Sequence, residues 1–152
     1  MYFWKINKLK EQLRTGTLSQ SEIFKYLMAY IVLNLLFHVA PNASNNQWDT
    51  LEKILVFFIT IIGTYFLYLS NNGSSGKNFL ERYISLYLVF GIRFTVYFII
   101  IGIPLCFFLN FYGFINLDNT NLVDVMVVTI AEIIFYWRLS FHFKGVANIS
   151  TI

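Results

Sequence analysis

Four long apolar segments constrain this chain more than any other feature. They cover roughly residues 23–39, 54–69, 79–109 and 122–141. Crossing a bilayer takes about 20 residues of helix. The first two segments are short by that measure, and aromatic and polar flanks extend both. The chain as a whole is 57% hydrophobic, 20% aromatic and only 12% charged, against about 25% charged in an ordinary soluble domain. A domain of 152 residues leaves much of its surface exposed, so lipid is the expected solvent for the excess. The length suits one domain.

Between the segments lie "PNASNNQWDT", "SNNGSSGKN" and "NFYGFINLDNTN", rich in residues that make turns. Each apolar segment opens with a cap residue followed three positions later by an acid. The pairs are Ser19 with Glu22, Asp49 with Glu52, Asn78 with Glu81, and Asn121 with Asp124. A Ser, Asp or Asn oxygen accepts from an unpaired N–H of a helix start, and the acid reaches back to the cap. Negative charge there also suits the helix dipole. Four such openings predict four helices. Leu18 and Ile23 add a possible staple to the first, and Lys144-Gly145 is the expected stop of the last.

The run Gly73-Ser-Ser-Gly76-Lys77 is similar to the end of a phosphate-binding loop. A complete loop needs a glycine where Asn71 stands and a Ser or Thr where Asn78 stands. Nucleotide binding is therefore not expected, and the run reads as a turn. A phosphate or lipid headgroup near Lys77 remains compatible with a helix start.

Basic residues set membrane orientation. Lys5, Lys8, Lys10, Arg14 and Lys25 precede or open the first segment. Lys77 and Arg82 lie at the second connection, and Arg138 and Lys144 at the end. The first connection has only Lys53 nearby and the third has no Lys or Arg. Both termini are therefore expected on the cytoplasmic side, in a membrane of the bacterial inner type. Trp4 and Trp137 read as inner interface anchors and Trp48 as an outer one. No signal peptide is expected, and Asn42-Ala-Ser44 is a formal glycosylation sequon on the outer side. Residues 1–18 form a separate element. Tyr2, Ile6, Leu9 and Leu13 recur at helical spacing among basic residues and end near Gly16. This predicts an amphipathic helix lying flat on the membrane, with Lys5, Lys8, Lys10 and Arg14 (and, further on, Lys77) at lipid headgroups. Docking to a partner is the alternative.

Arg93 and Glu132 are the charges deepest within apolar sequence. Isolated charges at mid-bilayer are unfavourable by about 3 kcal/mol or more. Arg93 lies 11 residues past Arg82 and Glu132 six residues before Arg138, or about 16 Å and 9 Å along a helix. The third segment is long enough for its first turns to stand in the cytoplasm, which brings both charges to a similar depth. They are the expected ion pair, with Tyr97 and Tyr136 one turn beyond each. Its expected role is structural, with ion coupling through Glu132 or snorkelling of Arg93 as alternatives. Thr60, Gly63, Thr64 and Tyr68 form a small, hydroxyl-bearing face suited to helix packing rather than a pore lining. Gly102 and Pro104 are the expected hinge. His38 reads as an interface residue.

Nothing points to catalysis, a cofactor or a metal site. Cys106 is the only cysteine, so CxxC chemistry is excluded, and the two histidines, His38 and His142, stand on opposite sides. The short basic tail is better explained by lipid than by nucleic acid. In plan the four spans are similar to small multidrug transporters. Those carry their acid in the first helix, whereas Glu132 is in the fourth. They are also similar in plan to quinone-linked disulfide oxidases, whose cysteine pairs are missing here.

The sequence thus predicts an all-α integral membrane protein: an interfacial helix over 1–18, a four-helix transmembrane bundle over 19–145 and a tail over 146–152. Its expected function is non-enzymatic. It is read first as a homo-oligomer that forms or gates a pore or perturbs membranes with a soluble partner. The alternatives are a small proton- or cation-coupled transporter using Glu132, and an accessory subunit of a membrane complex.

Overall fold

A computed structural model describes residues 5–38, 46–114 and 120–147, apart from the side chains of 36–38. Tyr2, Trp4, the side chain of His38, the Asn42-Ala-Ser44 sequon and the tail beyond Ala147 lie outside the described residues. Every helix or turn among those described is helical in type, with no strand. α1 spans Ile6–Thr15, α2 Gln20–His38, α3 Gln47–Ser70, α4 Phe79–Phe111 and α5 Leu122–Ala147. A short 3-10 turn, Gly73–Ser75, connects α3 to α4.

Among the described residues, α3 and α4 are long and apolar enough to cross a membrane. The sequence predicts four such helices. α2 has 19 residues and carries Glu22 and Lys25 in its first two turns. α5 has 26 residues but includes Asp124, Glu132, Arg138 and Lys144.

Two of the expected caps form as written. The Ser19 hydroxyl accepts from the Glu22 N–H and the Glu22 carboxylate accepts from the Ser19 N–H, both at 3.3 Å. Asn121 and Asp124 exchange the same pair of bonds, at 3.2 and 2.9 Å. The other two are corrected. α3 starts three residues early, capped by Asn46, with Asp49 as the acid of the box rather than its cap. Asn46 wins because it also reaches across to the start of α5, donating to the Thr120 carbonyl at 2.9 Å. Asn78 does precede α4, but it has left-handed backbone and makes no side-chain cap bond. The expected stop at Gly145 is also overrun: α5 continues to Ala147, because Val146 and Ala147 are buried. Gly16 ends α1 as expected, in the left-handed conformation that a glycine adopts at little strain.

α3 and α5 run side by side in the same direction, the most extensive pairing in the molecule. Gly63 permits it: a Cβ at that position would overlap the Tyr136 ring. α4 packs between α2 and α5 through a series of rings. Tyr30 meets Tyr87 edge-on at 5.7 Å, Tyr87 meets Phe135 at 5.1 Å, and Phe90 meets Phe135 at 5.2 Å. Aromatic pairs at such separations contribute about 0.5–1.5 kcal/mol beyond their buried area.

The tightest core lies where α3 and α5 end and α4 begins. Leu67, Leu86, Leu139, Phe143 and Val146 are fully buried there. α1 closes this end. Its apolar stripe, Ile6, Leu9 and Leu13, is buried with those residues as α1 packs on α4 and α5. The expectation that this stripe sinks into lipid is therefore corrected. A stripe this narrow is satisfied equally by lipid or by a protein groove, and the ends of α4 and α5 supply the groove.

Candidate functional site

A cleft of about 430 Å³ lies between α2, α4 and α5. Small-molecule sites commonly measure about 300–1,000 Å³. α2 contributes Tyr30 and Asn34, one turn apart. α4 contributes Tyr87, Gly91 and Thr95 at helical spacing, and α5 contributes Glu132 and Phe135. Gly91 has no side chain to fill the space, and a Cβ there would meet nothing within 4 Å. The Asn34 side-chain amide donates to the Tyr30 carbonyl at 2.8 Å, which anchors it to its own helix. A carboxylate thus stands in a cleft walled by Tyr30, Tyr87, Phe94 and Phe135. A carboxylate beside aromatic rings is a combination that can hold a cation.

The two charges expected to pair lie on packed neighbouring helices, and both are half-buried. Glu132 walls the cleft. Arg93 does not; its charge, with those of Lys10 and Arg138, acts on His142 of α5. The His142 ring packs on Phe90 at 5.3 Å. Of the supporting tyrosines, Tyr97 is exposed and Tyr136 is buried. The Tyr136 hydroxyl lies beside Tyr83 without a well-formed hydrogen bond.

The small-residue face of α3 is split. Gly63 is buried against α5, Thr64 lies beside Tyr83 of α4, and the Tyr68 ring meets Phe79 at 5.7 Å, while Thr60 is exposed. At the expected hinge, Phe98–Gly102 forms a π-helical turn that ends two residues before Pro104. A proline cannot donate to the carbonyl four residues back. The widened turn absorbs that loss, and the helix runs on to Phe111 rather than breaking.

Of the residues expected at headgroups, Lys5, Lys8, Arg14 and Lys77 are exposed, and Lys10 is half-buried. Lys10 holds its proton less tightly than an ordinary lysine, first because of burial and then because Arg138 is near.

Sequence reasoning missed two features. One is the aromatic wall around Glu132; the spacing of Tyr87 and Phe94 on α4 is its local trace. The other is the role of Arg82, read from sequence only as an orientation signal. It is buried at the start of α4, and its guanidinium donates to the Asn71 side-chain oxygen at 2.6 Å. Asn71 in turn packs so closely on Gly76 that any Cβ there would overlap its carbonyl. The glycine that imitates a phosphate loop is needed for this turn. The chain matches no known protein family, no curated protein and no solved structure.

Proposed function

We propose that this chain is a multi-pass membrane protein whose helices α2 to α5 all cross the bilayer, with both termini cytoplasmic, and that it moves cations by way of Glu132. The cleft that brings Glu132 together with Tyr30, Tyr87 and Thr95 carries this reading. A membrane carboxylate is a functional position by default, and here it faces a space large enough for a solute. In this reading Arg93 balances the carboxylate when the cleft is empty, and an arriving cation takes its place. No covalent chemistry is involved.

Four spans are supported by what the helices expose. α2 leaves Phe24, Met28, Val32 and Leu35 uncovered, and α5 leaves Met126, Ile130, Ile133 and Trp137 uncovered. Apolar surface on that scale does not persist in water. The basic ends of the helices gather at one side, as cytoplasmic segments do. Uptake of tetraethylammonium and of sodium into proteoliposomes tests the reading. The parent should accumulate at least one of them, and Glu132→Gln should not. Equal uptake by both proteins would refute it. An Arg93→Gln/Glu132→Gln cycle read by thermal unfolding tests the pairing: additive losses would mean that the two charges do not interact.

Homo-oligomerisation is favoured by a separate observation. Beyond Tyr97, α4 leaves an apolar rod largely bare: Ile100, Ile101, Phe107 and Phe111 are all exposed. The mass of the detergent-solubilised particle decides whether a second copy covers it.

A further inference from the structure

A second, smaller space lies at the cytoplasmic end of the proposed bundle. It is a polar crevice of about 260 Å³ between α1 and the last turn of α5, walled by Asn7, Lys10, Glu11, Arg14 and Gly145. α1 is fixed there by its buried stripe, so its basic side is presented at a set angle. Gly145 faces the Lys10 ammonium: a Cβ on Gly145 would stand in ordinary contact with the nitrogen, 3.4 Å away. Lys10 shares this end with Arg138, and both act on His142 together with Arg93. Cations from three helices thus act on His142, while the crevice itself holds two cations of α1, Lys10 and Arg14, and one carboxylate, Glu11.

Like charges held together repel, and the repulsion grows as water is excluded. Burial and Arg138 already weaken the hold of Lys10 on its proton. An anion seated between Lys10 and Arg14 would offset both effects. A phosphate fits the donors present: an ammonium, a guanidinium able to bind two oxygens at once, and the Asn7 amide. In the proposed orientation the crevice sits at the depth of the inner headgroups, where anionic lipid is concentrated.

We propose that the α1–α5 crevice binds the phosphate group of an anionic phospholipid, with Lys10 and Arg14 as its cationic ligands and Asn7 as a neutral donor. The site rests on the membrane reading but not on cation transport. It also differs from diffuse attraction, because α1 uses its apolar face inside the protein and meets lipid through a shaped basic crevice.

Native mass spectrometry of the full chain released from detergent tests it, with phosphatidylglycerol and phosphatidylcholine offered together and inorganic phosphate as competitor. The parent should retain phosphatidylglycerol preferentially. Lys10→Gln/Arg14→Gln should retain it about tenfold less, as loss of charge-assisted hydrogen bonds implies. Lys53→Gln, at the opposite end of the molecule, should bind as the parent does. Gly145→Leu fills the crevice and removes no charge, so it too should lose the lipid. Arg14→Gln alone, at an exposed position, covers the case in which the double variant does not fold. Displacement of lipid by millimolar phosphate would assign the affinity to the phosphate group itself; resistance to it would assign affinity to the whole lipid. Equal retention of the two lipids, undiminished binding by the Lys10 and Arg14 variants, or undiminished binding by Gly145→Leu would overturn the site. Failure of the membrane reading shows up separately, as release of the protein from membranes by alkaline carbonate.

Discussion

At the end of the molecule where α1 docks, Leu9, Leu67, Leu86, Leu139 and Phe143 each have 0% of their surface exposed. Along α4 beyond Tyr97, Ile100, Ile101, Phe107 and Phe111 are 63, 64, 61 and 84% exposed. The two regions are built from the same kinds of residue. What separates them is the partner. At the docked end four helices and a turn converge, and protein covers the apolar side chains. Along outer α4 nothing else among the described residues converges. The comparison shows that an apolar residue in this chain can be a core residue or a lipid-facing one, and that only the arrangement of helices decides which. The docked end also holds polar groups the outer rod lacks: Asn71, Arg82, Ser85 and Ser140 are all buried there.

The largest expected loss comes from breaking that polar core. Asn71→Ala removes the acceptor of the Arg82 guanidinium and leaves a buried cation without it. We expect about 3 kcal/mol of destabilisation, read as a lowered thermal midpoint in detergent. Asn71→Asp supplies a charged acceptor of nearly the same size and should retain most of the stability. If Asn71→Ala unfolds with the parent, the docked end is not held by this contact, and the contrast with outer α4 weakens.

Next in size is the line where α3 meets α5. Gly63→Ala places a methyl group on the buried Tyr136 ring. Overpacking of this kind typically costs about 1–3 kcal/mol. Tyr136→Leu in the same chain should relieve part of the loss, so the two substitutions should be less than additive. Full additivity would mean that position 63 and the Tyr136 ring do not touch.

How much of this could be read from residues alone follows the same division. Helix existence was legible, because long apolar runs and cap-x-x-acid openings are local. Ser19 with Glu22 and Asn121 with Asp124 formed as the sequence wrote them. At α3 two overlapping signatures competed, Asn46-x-x-Asp49 and Asp49-x-x-Glu52, and local chemistry could not choose between them. The bond from Asn46 to Thr120 joins residues 74 positions apart, so the choice was made in three dimensions. The stripe on α1 gave the helix and its buried face correctly but not what would cover it. The Glu132 cleft was legible least of all. Its walls come from positions 30 to 135, and no spacing rule joins Tyr30 and Tyr87 to Glu132 before the helix faces are known. Glu132 itself stood out, because a carboxylate in an apolar run conflicts with its surroundings wherever it lies.

A smaller effect belongs to the caps. Asn46→Ala gives up two bonds to backbone N–H groups of α3 and the link to Thr120. Cap removal alone lowers stability by about 1 kcal/mol, and the lost link should add to it. Asn78→Ala should change stability by less than Asn46→Ala, because its side chain makes no cap bond. Thermal unfolding of the pair in one detergent compares them directly, and the reverse order would mean that the Asn78 side chain caps α4 after all.

The smallest expected effect lies on outer α4 and tests the comparison from its other side. Ile101→Ala there removes much the same apolar volume as Leu139→Ala in the docked core. In the core, a cavity remains and stability falls by about 2–5 kcal/mol. On the rod, Ile101 is already exposed, and lipid tails can close over the missing methylene groups. Since moving an apolar group from lipid to lipid gains little, the change in unfolding midpoint should be close to zero. Adding a charge reverses the ranking of concern. Ile101→Lys should sharply reduce membrane insertion, because a lysine near the bilayer centre is unfavourable by about 3 kcal/mol or more. A protein that tolerates Ile101→Lys but loses several kcal/mol on Ile101→Ala would have this surface covered by protein rather than lipid. The bare rod would then be a subunit interface, and the pairing of copies would account for it better than the bilayer does.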